Sequence, residues 1–165
     1  MSLYSETTRS KVIKVAKAAV SARQKGNNSY ATELQTFVLG PVYNSRGAVI
    51  GYCNRYIRQL FEAALNLQPF TWAFGAGTAD ETLIKLKPYI KPVGTKPQPG
   101  DIIGWRKRRH GDPGHIALYI GGEKGLIAEN TSAERGDPDA PGTKVTRLAN
   151  TRTGWKAYRL FPTDK

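Results

Sequence analysis

The residues best suited to chemistry in this chain are a single cysteine, Cys53, and two histidines, His110 and His115. A cysteine thiolate is a strong nucleophile, and a histidine within hydrogen-bonding reach can hold its proton. Cys53 opens the segment YCNRYIRQLFEAALNL, whose apolar residues recur at helical spacing. A thiol at a helix N-terminus lies beside N–H groups that stabilise both a thiolate and an oxyanion. A nucleophilic Cys53 is one hypothesis, and the alternative is a small buried core residue.

The two histidines lie in RKRRHGDPGHIALYIG, which runs from Arg106 to Gly121. His115 begins an apolar run that predicts a strand, whereas His110 lies in a basic turn and is expected to be solvated. A histidine at a strand edge can serve as a base or can simply be a polar surface residue. HGDPGH also suggests a metal loop with Asp112, but no third nitrogen or sulfur donor is nearby. We expect neither a metal nor a cofactor.

A third polar group follows in LIAENT, where Glu129 and Asn130 are adjacent. Neighbouring side chains of a strand point to opposite faces, so only one of the two can face His115. Which one depends on the hairpin register through the GGEKG turn, because a one-residue change exchanges the faces. Both residues therefore remain candidates for the group that orients His115.

These motifs together resemble a known family. PGDIIGW, a polar turn, GHIALYIGG and LIAENTS are similar to the second half of the NlpC/p60-type cysteine peptidases and the related CHAP amidohydrolases. Members of that family are papain-like hydrolases of bacterial peptidoglycan. The resemblance covers roughly residues 35 to 160 and is most specific from Pro99 to Ser132. It implies that Cys53 is the nucleophile, that His115 is the general base and that the His115 partner is Glu129 or Asn130.

The resemblance also points to two tyrosines. Tyr43 falls in a loop where the family often supplies a tyrosine near the oxyanion, and Tyr52 directly precedes the nucleophile. The family usually shows D-C-S-G around the cysteine, whereas this chain has GYCNRY. Ala128 stands where NlpC-type members carry a second histidine, so an orienting Glu or Asn follows the CHAP pattern instead.

The implied function is a cysteine-dependent peptidoglycan hydrolase that cleaves an amide bond of the stem peptide or cross-link through a thioester. It would act as an endopeptidase or an amidase. A papain-like acyl or amide transferase is one alternative. The formal charge of +12 and the pI near 10.0 support another, a non-catalytic module that binds polyanions or nucleic acid. The charge also suits anionic cell-wall polymers as partners, while the absence of a nucleic-acid motif disfavours nucleic acid.

The elements that must position these residues follow an α+β pattern. Apolar spacing predicts a first helix around residues 12–20, a short helix at Ala31 to Leu39, the helix after Cys53 and a short helix at Ala79 to Leu86. From Gly100 onward, five short apolar runs predict an antiparallel sheet. We expect a papain-like NlpC/CHAP fold with the nucleophile at a helix N-terminus packed on a C-terminal sheet.

Length and composition predict one domain over residues 1–165. The resemblance implies that it is an NlpC/CHAP-like catalytic domain, with residues 1–34 as an additional N-terminal helix. The N-terminal sequence lacks a signal-peptide pattern, and no apolar run is long enough for a membrane span. We expect a monomer made in the cytoplasm. It would reach the cell wall by phage lysis, virion delivery or secretion by a non-Sec route.

Overall fold

The computed structural model describes residues 6–24, 29–31, 36–38, 42–43, 49–50, 53–65, 78–131 and 142–160. Over these residues the protein is α+β, as the order of helical and strand patterns predicts. The helices are α1 (Glu6–Gln24), α2 (Cys53–Leu65) and α3 (Ala79–Lys85). The strands are β1 (Ser29–Ala31), β2 (Thr36–Val38), β3 (Val42–Tyr43), β4 (Val49–Ile50), β5 (Ile90–Pro92), β6 (Ile102–Trp105), β7 (His115–Gly121), β8 (Leu126–Thr131), β9 (Gly142–Arg147) and β10 (Lys156–Leu160).

A six-stranded sheet in the order β5-β10-β6-β7-β8-β9 forms the centre of the fold, and each neighbouring pair is antiparallel. Strands β6 to β9 follow one another as a meander, as the five apolar runs predict. The chain then returns, and β10 inserts between β5 and β6. Two small hairpins, β1-β2 and β3-β4, precede α2.

Both faces of the large sheet are covered by buried side chains. On one face, Ile116 and Leu118 of β7 pack in a core with the apolar stripes of α1 and α2. On the opposite face, Ala117 and Ile127 join a second cluster that contains Trp105 and Leu148. Burial on both faces explains why DIIGW and HIALYIG read as nearly continuous apolar runs.

The two long helices present their apolar residues to the sheet. Val12, Ala16 and Ala19 of α1 are fully buried, and so are Ile57 and Leu60 of α2. Their spacing of three and four residues gives each helix one apolar stripe. Since α2 packs against β7 and β8, its burial holds the N-terminal end of the helix in a defined place relative to those strands.

An ion pair between a buried carboxylate and a partly exposed arginine joins the start of β6 to β10. The carboxylate of Asp101, which is fully buried, accepts two hydrogen bonds from Arg159 at 2.9 and 2.8 Å. It also accepts the backbone N–H of Gln98 at 2.7 Å. A buried carboxylate needs this degree of pairing to offset its lost hydration. The Asp of PGDIIGW therefore fixes the start of β6, the strand beside His115.

The short helix predicted at Ala79 to Leu86 is confirmed as α3, which begins with a capping box between Thr78 and Glu81. The helix predicted from Ala31 to Leu39 is wrong. Ala31 instead ends β1, which pairs with β2 of residues Thr36–Val38. The β-branched and aromatic residues of β2 favour a strand, and hairpin pairing outweighs the weak helical spacing. None of the helices in the described ranges is long and apolar enough to cross a membrane.

Candidate functional site

Cys53 is the first residue of α2, so its thiol lies at the N-terminal end of the helix. Its side chain is partly exposed and packs against the core shared by the helices and the sheet. The first N–H groups of an α-helix have no partner within the helix and point toward this end. Cys53 therefore combines solvent access with an electropositive environment, which a buried core cysteine lacks.

His115 is the first residue of β7 and lies opposite Trp105 of β6. The two rings are tilted by 44°, with their centroids 5.1 Å apart. The preceding Gly114 has φ of 71°, and a Cβ there would come within 2.5 Å of the Trp105 carbonyl oxygen. Only glycine fits this close approach without strain. The turn at Gly114 therefore places the His115 imidazole in a fixed position beside Trp105.

Glu129 of β8 holds the imidazole from the other side. Its Oε2 lies 2.8 Å from Nε2 of His115, and its Oε1 accepts a hydrogen bond from Oγ1 of Thr146 at 2.7 Å. The Glu129 side chain is 6% exposed and that of His115 is 22% exposed. The thiol of Cys53 is also in hydrogen-bonding contact with His115. Because Glu129 occupies Nε2, Nδ1 is the ring nitrogen that remains for this contact. Cys53, His115 and Glu129 form one connected chain of side chains.

A β-bulge decides that Glu129, rather than Asn130, meets His115. Leu118 pairs with Ala128, but the register shifts by one residue between Tyr119 and Gly121. When the pairing of Leu118 with Ala128 is continued along the two strands toward His115, Glu129 lies on the same face of the sheet as the imidazole. Had the pairing of Gly121 with Leu126 continued unshifted, Asn130 would have taken that place.

Asn130 lies on the opposite face by strand alternation, the face that α1 and α2 cover. It is 2% exposed, so it is a buried polar residue. Tyr43 is the last residue of β3, and its side chain lies outside the described part of the structure, as does Tyr52 altogether. The structure thus brings together three of the six candidate residues.

The charges of this cluster support one another. Burial disfavours the imidazolium, but hydrogen bonds to Cys53 and Glu129, together with the charges of both, raise the pKa of His115 to about 10. Burial likewise disfavours the Glu129 carboxylate, yet His115 and Thr146 hold its pKa below the usual value of 4.5. At neutral pH the imidazole is therefore protonated and the carboxylate ionised.

Three supporting residues were not among the candidates from the sequence. Trp105 packs against the His115 ring, and Thr146 hydrogen-bonds Glu129. Tyr56 follows Cys53 by one helical turn and is 1% exposed. Its burial raises the pKa of the phenol, and the charge of Glu129 raises it further. The spacing of three residues from Cys53 could have identified Tyr56. No sequence signal marks Thr146, because its strand pairing is non-local.

His110 lies in the exposed loop that connects β6 and β7, away from this cluster. Two aspartates fix the loop. Asp80 of α3 accepts hydrogen bonds from the Arg106 side chain and, at 2.9 Å, from the Lys107 backbone. Asp112 accepts the backbone N–H of Gly114 at 2.8 Å. Asp112 therefore acts as a turn residue. Among the described residues, no group of three potential metal ligands occurs.

Comparisons with known proteins add no relative: no family model matches the chain, and neither the curated proteins nor the solved structures yield a match. The case for function therefore rests on the side-chain geometry described above and on the sequence motifs.

Proposed function

We propose that this protein is a papain-like cysteine hydrolase that cleaves an amide bond in the stem peptide or cross-link of bacterial peptidoglycan. The observation that carries the proposal is the connected chain from Cys53 at a helix N-terminus through His115 to Glu129. A nucleophile, a base in contact with it and a third group that orients the base are the parts that covalent acyl transfer needs.

The resting state follows from the charges. Protonated His115 lies beside Cys53, and an adjacent cation stabilises a thiolate. Glu129 accepts a hydrogen bond from the Nε2–H group of His115 and so fixes the orientation of the ring. The Nδ1–H group is then directed at the Cys53 sulfur. Thr146 holds the second carboxylate oxygen and limits rotation of Glu129. The site is thus preorganised as a thiolate–imidazolium pair.

In the proposed reaction, the Cys53 thiolate attacks the carbonyl carbon of the scissile amide. The N–H groups at the start of α2 stabilise the oxyanion that forms. The carbon–nitrogen bond breaks as His115 donates its proton to the leaving amine, which leaves a thioester on Cys53. Water then attacks the thioester while neutral His115 accepts a proton from it. Release of the carboxylic acid restores the starting pair.

The substrate class comes from the motifs PGDIIGW, GHIALYIGG and LIAENTS, which resemble those of NlpC/p60-type and CHAP peptidoglycan hydrolases. The formal charge of +12 is consistent with a target as acidic as a bacterial cell wall. Neither the fold class nor the charge by itself specifies the substrate.

Mass spectrometry of purified peptidoglycan, digested by the wild type and by Cys53→Ala, tests the proposal. We expect new muropeptide termini from the wild type and none from the variant. His115→Ala should also be inactive, while Lys124→Ala, in the exposed turn between β7 and β8, should retain full activity and serves as the control. Full activity of Cys53→Ala would refute a thiol mechanism. Products that carry an added amine instead of a new carboxylate would identify a transferase.

A further inference from the structure

The loop between β6 and β7 forms an open depression outside the cluster of Cys53, His115 and Glu129. Its volume is about 720 Å³, and its lining consists of Arg108, Arg109, His110, Gly111, Asp112, Pro113 and Arg152. We call it the basic depression. Three of its seven lining residues are arginines, the side chain that binds phosphate and carboxylate groups most specifically.

The loop is held in shape by hydrogen bonds within the protein. Asp112 accepts the backbone N–H of Arg108 at 3.0 Å and the Nη1 of Arg152 at 3.2 Å. The Arg108 guanidinium in turn donates to the carbonyl oxygen of Thr153. The backbone N–H of Arg108 and the other partners keep the pKa of Asp112 low, so the carboxylate remains charged. The arginine-bearing backbone is therefore positioned before any ligand arrives, which lowers the entropic cost of binding.

Among the described residues, positive charge exceeds negative charge in and around this loop. Five cationic side chains, Arg106, Lys107, Arg108, Arg109 and Arg152, face two carboxylates, Asp80 and Asp112. Within the described part of the chain, the side chains of Arg109 and His110 make no hydrogen bond or ion pair, and both residues are exposed. An excess of fixed positive charge with unused donors favours a polyanionic ligand.

The basic depression is joined to the site of the proposed reaction through Trp105. The indole Nε1 donates a hydrogen bond to the backbone oxygen of Arg152 at 2.9 Å. The same indole packs against His115 at 5.1 Å between ring centroids. The loop itself ends at Gly114, the residue before His115. The loop that forms the depression therefore leads directly into the strand that carries the imidazole.

We propose that the basic depression binds phosphate groups of an anionic cell-wall polymer and so holds the protein on its substrate. This inference rests on the proposed function, since the polymer must be attached to the peptidoglycan that Cys53 attacks. Arginine forks bind phosphate oxygens in pairs, and Arg109 with His110 offers unused donors for them. Among the described residues, the lining holds no Phe, Tyr or Trp ring on which bases could stack, which favours a wall polymer over a single-stranded nucleic acid.

The experiment uses Cys53→Ala, so that binding is measured without cleavage. Its cosedimentation with purified cell walls is compared before and after chemical removal of the phosphate polymers. Arg109→Glu in the same background is the test variant, and Lys124→Glu is the matched control. Lys124 is exposed in the turn between β7 and β8, at the far end of β7 from His115, and its substitution makes the same charge reversal.

We expect Arg109→Glu to weaken binding to the intact walls by about tenfold or more, because at least one charge-assisted hydrogen bond is replaced by repulsion. Lys124→Glu should bind like the parent. Removal of the phosphate polymers should weaken the parent and abolish the difference between the two variants. Inorganic phosphate should compete for binding, with a smaller effect on Arg109→Glu. Circular dichroism checks that each variant is folded, and His110→Asp repeats the test at the neighbouring position.

Equal binding by Arg109→Glu, His110→Asp and the control would overturn the proposal. Unchanged parent binding to walls stripped of phosphate, with the loss in Arg109→Glu retained, would overturn the phosphate assignment in favour of peptide carboxylates. Tighter, Arg109-dependent binding to duplex DNA than to walls would overturn the wall assignment. Each result is independent of turnover, so failure of this inference is distinct from failure of the proposed hydrolase.

Discussion

Replacement of Glu129 by glutamine changes the charge at the site with little change in shape. The carboxylate is buried, with Oε2 at 2.8 Å from His115 Nε2 and Oε1 at 2.7 Å from Thr146 Oγ1. Glutamine has the same number of heavy atoms and can keep both contacts. It removes the negative charge, and its amide group can present a donor to Nε2. Glu129→Gln therefore tests whether His115 depends on the charge of its partner.

The expected magnitude follows from the distance. At 2.8 Å, two unit charges attract by about 6 kcal/mol if the effective dielectric constant is about 20. Much of this attraction offsets the lost hydration of the two groups, and charge-assisted hydrogen bonds contribute about 1.5–3 kcal/mol net. We expect the pKa of His115 to fall from about 10 to about 8. The same free energy corresponds to a loss in turnover of about 10- to 100-fold.

Two measurements check this prediction. NMR titration of the imidazole follows the His115 pKa directly, and His110→Ala assigns the signals because the chain has two histidines. Turnover on purified peptidoglycan reports the catalytic loss. Alkylation of Cys53, the one cysteine in the sequence, shows by mass spectrometry whether the thiolate remains accessible. Glutamine at position 129 stabilises the protonated form of His115 less, and the protonated imidazole in turn stabilises the Cys53 thiolate. Alkylation at neutral pH should therefore become slower in Glu129→Gln.

Glu123→Gln is the matched control, because Glu123 is exposed in the turn between β7 and β8. It should leave the His115 titration and the turnover as in the wild type. The reasoning is refuted if Glu129→Gln keeps the wild-type pKa of His115 together with wild-type turnover. In that case Glu129 fills space on β8 without orienting the imidazole.

The remaining predictions concern pH and the buried polar residues. Turnover should be level around neutral pH and should fall in acid as Glu129, whose pKa lies below 4.5, gains a proton. In alkali, turnover should fall as His115 loses its proton near pH 10. A decline already at pH 6.5 in the pH–rate profile would contradict the ion pair between His115 and Glu129. Because the His115 pKa is raised in the folded state, the stabilisation from its pairing should be complete below pH 6.5 and lost as the pH rises through about 10, which denaturant titrations of the wild type and His115→Ala would detect. Asn130→Ala should lower the free energy of unfolding by about 1–3 kcal/mol, because Asn130 is a buried polar residue. It should reduce turnover less than Glu129→Gln does, because Asn130 lies on the opposite face of the sheet from His115. A larger loss of turnover in Asn130→Ala than in Glu129→Gln would contradict the observed register. Asp101→Asn should cost about 1.5–3 kcal/mol of stability because it removes the negative charge that accepts two hydrogen bonds from Arg159, and wild-type thermal stability in this variant would refute the structural role of the pair.

The parts of the site that depend on local sequence could be predicted. The apolar stripe after Cys53 predicts α2, and the short apolar run after Gly114 predicts β7 with His115 at its start. Helical and strand periods are local, so they can be recognised without knowledge of the partners. The same method was wrong for Ala31 to Leu39, where pairing between β1 and β2 outweighs the local pattern.

By itself, the sequence determined the α+β class, the position of the thiol at a helix N-terminus and the difference between His110 in a loop and His115 in a strand. Only the tertiary structure decided between Glu129 and Asn130. The physical reason is the two-residue period of a strand, through which the one-residue bulge near Gly121 exchanges every side chain of β8 between the two faces of the sheet. A bulge is set by pairing and packing across strands, including the close contact of Gly121 with Pro99, and such non-local contacts leave no periodic signal in the sequence.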